Sequence, residues 1–344
     1  MNRYDEAYIF RKATVDDVDS IMSFIKTEWN EKHILANDKD FFMWQYGRGE
    51  YNDDNSINFI LMTDKDGHLL GIIGYIPYDN DDISVSPAMT KVKASGLLPM
   101  TGLEFMKREM RLVGEKNHFA SGTNTKTILP LYSKCFHHDY GFMQQYYILN
   151  SAVESYKIAY PKTGEKQLPF VETGYKLKTI QRYEDLVSQY DLGTEYPRMI
   201  YKSPEYIKKR FFDHPIYEYQ KWFVEDGDGN AVGILFGREI HINGSKVLRL
   251  VDFRGNPNDL CELGSALHEM MTENDYEYID LVVSDMSSYD LGKAGFKLLD
   301  FDGETIIPNY FEPFEQRNIK NCYQTNSNNI MFKADGDQDR PNHR

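Results

Sequence analysis

Leu70-Gly71-Ile72-Ile73-Gly74 and Val232-Gly233-Ile234-Leu235-Phe236 decide how this chain is read, because their first glycines stand 162 positions apart in matching surroundings. Each follows an Asp/Gly turn, Asp64-Lys65-Asp66-Gly67 or Asp226-Gly227-Asp228-Gly229, of the kind that closes a β-hairpin. Before each turn lies an apolar strand candidate, residues 58–62 or 221–224. Before that comes an amphipathic aromatic segment, residues 40–46 or 205–211. Downstream, Leu103, Met106, Met110 and Val113 mark one helical face, and Leu260, Leu263, Leu267 and Met270 repeat the same offsets. Gly141-Phe142 and Gly295-Phe296 close the two series. Five landmarks in one order read as an internal duplication.

A chain of 344 residues suits two domains of about 150 residues each. The expected division is a first domain over 1–160, a second over 175–310 and a C-terminal extension over 311–344. The polar connection around 160–174 carries Pro161, Gly164 and Pro169, which interrupt periodicity. Composition is 41% hydrophobic and 27% charged, ordinary for a globular protein. The net charge of −14 argues against nucleic acid and anionic membranes as partners, since both select basic surfaces. Cys135, Cys261 and Cys322 form neither a CxxC pair nor a zinc-spaced cluster, so no disulfide framework and no metal is expected. The N-terminus lacks a signal-peptide apolar region, and no run approaches the ~18 apolar residues that span a bilayer. A cytoplasmic location is the expectation; the oligomeric state is left open.

Thr14 can cap a helix with Asp17 as its capping-box acid, and Val18, Ile21, Met22, Ile25 and Trp29 then share one face. With the preceding Phe10-Arg11-Lys12-Ala13, this opening resembles the first strand and helix of the GCN5-related N-acetyltransferase (GNAT) family. Residues 124–142 resemble that family's Asn-x-x-Ala-x-x-Leu-Tyr and Gly-Phe signatures. Leu131-Tyr132 and Gly141-Phe142 match. Asn124 stands one place early, Ile128 replaces the alanine, and residues 136–140 look like an insertion. Of the family's phosphate loop, residues 97–102 keep only Gly102. The resemblance covers roughly 8–150 and, more faintly, 196–300. It implies an α/β architecture of the α+β type: two tandem GNAT-like domains, each a mixed, mostly antiparallel sheet flanked by helices. It also implies an acyl-CoA-dependent N-acyltransferase using acetyl-CoA or another short-chain acyl-CoA. The subclass it suggests acylates nucleotide-linked amino sugars for bacterial surface polysaccharides.

Acyl-CoA needs donors for its pyrophosphate, best supplied at a helix N-terminus behind glycines that permit close approach. Lys93, Ser95, Gly96, Gly102 and Asn124 are the candidate contacts. Residues 91–116 carry six basic and three acidic side chains, whereas 248–273 carry two basic and five acidic, so an anion should prefer the first copy. Tyr132 is the candidate general acid, since a phenol with a pKa of about 10 can protonate a departing thiolate. Its counterpart Leu291 cannot. No general base is identifiable; His137 and His138 lie on the insertion and are expected in solvent.

For the acceptor, Trp29, His33, Trp44 and Tyr46 offer aromatic faces, although an aromatic stripe is more often core. Ser84 and Ser86 offer hydroxyls from the central strands. The stretch Asp335-x-Asp337-x-Asp339 alternates like a calcium loop but lacks its glycine and closing glutamate. The tail is instead expected either to fold back and offer Asp337, Asp339 or Arg340 to substrate, or to be disordered. Two rival readings stand beside the acyltransferase. One is a Fem-like aminoacyl transferase, disfavoured by the acidic charge. The other is a non-catalytic GNAT-derived scaffold, favoured by the departures in the phosphate loop.

Overall fold

The computed structural model describes residues 2–48 and 55–342. The first half lays down helix α1 (Arg3–Ala7), strand β1 (Ile9–Thr14), α2 (Val18–Glu28), α3 (Ile34–Asn37) and α4 (Lys39–Tyr46). It continues with β2 (Ser56–Thr63), β3 (Leu69–Pro77), β4 (Ser84–Val92), α5 (Thr101–Val113), β5 (Asn117–Ser121), α6 (Leu129–Phe136), β6 (Asp139–Phe142) and β7 (Gln144–Leu149). The second half repeats the sequence as β8 (Lys176–Thr179), α7 (Tyr183–Gln189), α8 (Pro204–Ile207), β9 (Gln220–Glu225), β10 (Ala231–Ile242) and β11 (Ser245–Gly255). Then follow α9 (Gly264–Glu273), β12 (Tyr278–Val283), α10 (Ser288–Lys293), β13 (Lys297–Leu298) and β14 (Cys322–Thr325).

Local chemistry explains most of these elements. Asp17 accepts a hydrogen bond from the Thr14 amide at 2.9 Å, so the expected capping pair forms, entering α2 through a short 3-10 turn. Val18, Ile21 and Ile25 are buried on the core face. Trp29 instead lies past the end of α2 and is 46% exposed, which removes it from that stripe. The Asp64 and Asp226 turns close the β2–β3 and β9–β10 hairpins as expected. The helical face anticipated over 260–270 is broken: a 3-10 turn, Pro257–Glu262, precedes α9, because Pro257 and the Asn256 cap start a separate tight turn.

The two sheets have seven strands each, ordered β1-β2-β3-β4-β5-β14-β6 and β13-β7-β12-β11-β10-β9-β8. They are equivalent strand for strand, with one reciprocal exchange. β7, from the end of the first half, lies between β12 and β13, with its Tyr147 opposite Asp280 on one side and Lys297 on the other. β14, from the end of the second half, lies between β5 and β6, with Gln324 opposite Ala120 and Tyr140. The chain changes sheets at the buried Met143, between β6 and β7. Sheet membership therefore does not follow the divisions at 160 and 311: β7 of the expected first domain lies in the second sheet, and β14 of the extension lies one place in from the edge of the first.

In each sheet one neighbouring pair is parallel and parts after a few residues. β4 and β5 pair only at Ser84–Asn117 and Val85–His118, and β11 and β12 at Leu248–Ile279 through Leu250–Leu281. In the second sheet the opening is filled by residues 330–335. Met331 bonds Ser284 in both directions at 2.9 Å, and the Ala334 amide donates to the Val251 carbonyl at 2.9 Å. Beyond the wedge, buried Lys202 bridges Asp252 at 2.6 Å and Asp335 at 2.9 Å. On the other side of the tail, Asp339 pairs with Arg238 at 2.8 Å and accepts from Tyr219 at 2.8 Å.

The copies also meet at His214, which packs on Trp44 of α4 with ring centroids 4.3 Å apart and accepts amide hydrogens from Ile216 and Tyr217 at Nδ1. Burial and nearby Arg210 push its pKa down from 6.5 to about 3.

Three stability outcomes follow from this architecture. The halves 1–160 and 161–344 produced separately should be unfolded by circular dichroism, each lacking an interior strand, and should regain structure when mixed. Lys202→Met strands two buried carboxylates and should cost about 3–5 kcal/mol in urea denaturation. Because His214 has a folded pKa below its unfolded value, its stabilising contribution is complete above pH 6.5 and lost as pH falls towards 3. His214→Phe should flatten that part of the stability profile.

Candidate functional site

In the first copy β4 and β5 part beyond Val85 and His118, and the tail enters the far end of the parting, with Gly336 against Ser86 and the Gln338 side chain against Gly122; the start of α5 is left uncovered. The approach to α5 is a tight loop, with Gly96 at φ +81° and Met100 at φ +63°. Helix α1 fixes it from behind. The Leu98 amide donates to the Tyr8 hydroxyl at 2.7 Å, and the Tyr4 hydroxyl donates to the Pro99 carbonyl at 2.8 Å. Nothing lies within 4 Å of where a Cβ would stand on Gly96 or Gly102. The Gly102 and Leu103 amides belong to the first helical turn, whose N–H groups have no helical partner and suit an anion. Arg3, which sequence reasoning missed, donates to the Pro99 carbonyl at 3.3 Å and brings its exposed guanidinium beside the loop. Lys93 continues β4 by donating its amide to Leu70, and Ser95 is exposed in the turn that follows. Asn124 is committed elsewhere: its side-chain oxygen accepts the Lys126 and Thr127 amides at 2.9 and 3.1 Å, shaping the approach to α6.

The corresponding place in the second copy is closed. A Cβ on Gly264, the first residue of α9, would fall 2.7 Å from Phe170, which the interdomain connection lays across it. A cavity of about 610 Å³ does flank α9 on its outer side, but Glu172, Glu269 and Glu273 line it, the wrong charge for a pyrophosphate.

Tyr132 on α6 is buried at 3% exposure, in the core cluster that also holds Phe105 and Met106 of α5. Its ring stacks on His138 with centroids 5.2 Å apart and sits 4.8 Å from His118 of β5. His138 is therefore not in solvent as expected of the insertion. His137 takes the left-handed conformation at φ +58°, and this turns His138 inwards, where its Nδ1 lies 2.5 Å from Gln324 Oε1 of β14. Burial, then the nearby carboxylates of Glu109 and Glu115, push the Tyr132 phenol well above its ordinary range. Glu109, Glu115, His118 and Gln324 had no sequence signal; they come together only through sheet pairing and the exchanged strand.

The tail brings most of the acceptor candidates together on the opposite face of the sheet. Arg340 reaches His33 Nε2 at 3.1 Å and pairs with Asp337 at 2.9 Å. Tyr46 is buried close enough to feel both Asp337 and Arg340, and burial raises its phenol. Gly336 packs on Ser86, whose Oγ would be 2.5 Å from a Cβ there. The Asn342 carbonyl accepts the Ile34 amide of α3 at 3.1 Å. Trp29 lies at the rim, 6.3 Å from His33 between ring centroids. Ser84 is set apart, its hydroxyl accepting from Asn117 at 3.0 Å. Asp339 faces the second copy, so of the tail's candidates only Asp337 and Arg340 join this cluster.

Among solved structures, the chain is similar to a GCN5-related N-acetyltransferase from Anabaena variabilis ATCC 29413. The TM-score is 0.57 at 9% identity, over 94% of this chain and 73% of that one. It is also similar to a probable N-acyltransferase from Enterococcus faecalis V583, with a TM-score of 0.53 at 9% identity, over 85% and 70% of the two chains. No protein-family model matches the sequence, and no curated protein matches it. The chain thus has the GCN5-related N-acetyltransferase fold, in two tandem copies.

Arg340 joins the tail to the first copy, so Arg340→Ala should loosen residues 336–342 while leaving both sheets intact. Hydrogen exchange should rise there and not in β14.

Proposed function

We propose that this chain is an acyl-CoA-dependent N-acyltransferase whose first copy binds the thioester. The observation that carries the reading is the difference between two equivalent helix starts. Phe170 lies across the second at Gly264, whereas nothing stands within 4 Å of a Cβ on Gly96 or Gly102 at the first, with Arg3 alongside.

The acyl-CoA pyrophosphate would lie at the Gly102 and Leu103 amides, with Lys93 and Arg3 supplying charge. Ser95 and Gly96 would border the remainder of the nucleotide. The pantetheine would run along the parting of β4 and β5, placing the thioester near Tyr132. A neutral amine attacks the carbonyl carbon, the C–S bond breaks, Tyr132 protonates the leaving thiolate, and the proton shed by the amine nitrogen goes to solvent, from which the phenolate is reprotonated. No covalent intermediate is required, and holding the two reactants together supplies much of the acceleration.

The acceptor we assign is the amino group of a nucleotide-linked deoxyamino sugar. The cluster of His33, Tyr46, Ser86, Asp337 and Arg340 supports it, since it pairs sugar-type donors and acceptors with a cation suited to a diphosphate. Trp29 supplies an exposed face at the rim on which a sugar can stack. The C-terminal tail thereby completes the acceptor side of the first copy.

Titration with acetyl-CoA by calorimetry, followed by a free-thiol assay over a panel of nucleotide amino sugars, tests this reading. Binding should be saturable at one site per chain, and absence of binding would sink the assignment. Arg3→Ala should weaken acyl-CoA binding about threefold to tenfold, the scale of one lost exposed charge–phosphate contact. Tyr132→Phe should lower kcat by about tenfold to a hundredfold with KM for acyl-CoA little changed. Arg340→Ala should raise KM for the sugar and leave acyl-CoA affinity alone.

A further inference from the structure

The parting of β4 and β5, along which the proposed acyl-CoA arm runs, has a closed end built by the tail. Ser84, Val85 and Ser86 of β4 are buried, and the strand turns half-exposed from Pro87 to Val92 except at Met89. That open stretch covers about 17 Å of extended backbone. It begins next to the loop that carries Lys93 and Gly96, and it ends where Gly336 meets Ser86.

Gly336 has φ +66°, and a Cβ on it would fall 2.5 Å from Ser86 Oγ, so glycine is what lets the tail come this close to β4. On the other side, Gly122 follows β5 at φ +72°, and a Cβ there would fall 2.6 Å from the amide carbon of Gln338. The tail thus crosses the parting from strand to strand between Gly336 and Gln338. Its chain is pinned around the crossing. The Ala334 amide donates to the Val251 carbonyl at 2.9 Å, Asp337 pairs with Arg340 at 2.9 Å, and Asp339 pairs with Arg238 at 2.8 Å.

The Gln338 side chain is held differently. It is half-buried, and among the described residues its amide makes one long hydrogen bond, 3.4 Å, to the neighbouring Asp337. A side chain bonded so weakly is placed by the space it fills. Ser121, the residue before Gly122, adds a polar group. It shares a face of β5 with Phe119, which belongs to the same core cluster as Met331 and Ala334 of the tail. Among the described residues its hydroxyl is buried without a hydrogen bond, so it can donate to a carbonyl oxygen in the parting.

We infer that residues 336–338 form the end wall of the acyl pocket, and that Gln338 is the residue that restricts it to short chains such as acetyl. This rests on the acyltransferase reading above and deepens it. With the pyrophosphate at the start of α5, the acyl group is the far end of the ligand, and the tail is what that end meets. A longer chain would have to displace the Gln338 amide and then a backbone fixed by two ion pairs, and overfilling a packed site is unfavourable.

Calorimetric titration of the full chain with acetyl-, butyryl- and octanoyl-CoA tests the wall. Wild-type affinity should fall about tenfold or more from acetyl-CoA to butyryl-CoA, although the longer chain is the more hydrophobic. Gln338→Ala should raise the butyryl-to-acetyl affinity ratio about tenfold, and Gln338→Phe should lower it. A tail merely loosened by substitution would raise the ratio in both variants, and that result would overturn the wall. Equal affinity for the three thioesters, or a ratio that neither variant moves, would overturn it as well.

Hydrogen exchange over residues 336–342 gives a readout independent of turnover. In the wild type, saturating butyryl-CoA should speed exchange there, whereas acetyl-CoA should not. Faster exchange with acetyl-CoA would make the tail a plug that leaves on binding, against the inference. If no CoA thioester binds, the acyltransferase reading falls and the wall falls with it; binding that ignores chain length counts against the wall alone.

Discussion

The exchange of β7 for β14 is the constraint on which the rest of the molecule depends. Each sheet has its seventh strand delivered by the opposite half, so neither can satisfy its interior backbone hydrogen bonds alone. Two domains joined by an ordinary linker would move relative to one another by default. Here the crossing at Met143, the Lys202–Asp252–Asp335 cluster and the His214–Trp44 contact hold the copies in one arrangement.

That arrangement also explains why duplicated sequences ended with different sites. After β14 the chain leaves the first sheet and crosses to the second. Residues 330–335 do so by entering the opening between β11 and β12, and Phe170 covers the start of α9. From Gly336 onward the same tail lies against Ser86 and Gly122 on the two sides of the first copy's parting and then reaches α3. One segment therefore enters both partings in turn, an outcome available only because the strand exchange brings residues 330–342 there.

The charges are arranged in the same spirit. Buried ion pairs are a weak source of stability but penalise alternatives strongly when one partner is missing. Arg238–Asp339 and Lys202–Asp335 each join the tail to the second copy, so a misplaced tail would strand a buried charge on each side. Around Tyr132 the logic differs: Glu109 Oε1, both Glu115 oxygens and both His118 nitrogens are buried without a hydrogen bond, and burial pushes the Glu109 carboxyl above its ordinary range.

What the sequence determined by itself was the local and the repeated. The Asp/Gly turns, the Thr14–Asp17 cap, the aromatic segments and the paired Gly-Phe endings fix elements through contacts a few residues long, and their recurrence at similar spacing revealed two copies of one fold. The helix break at Leu263 escaped because the apolar pattern continues across a turn set by Asn256 and Pro257. His138 escaped because its burial depends on a left-handed residue before it and on a strand 186 positions away. Tyr132, His33, Tyr46, Asp337 and Arg340 could be named as candidates from residue type, but their grouping could not. Which sheet receives which strand, where the tail enters each opening, and which groups surround Tyr132 depend on pairing between distant segments. Hydrogen-bond register across a sheet leaves no periodicity along the chain, so only the tertiary structure decided them.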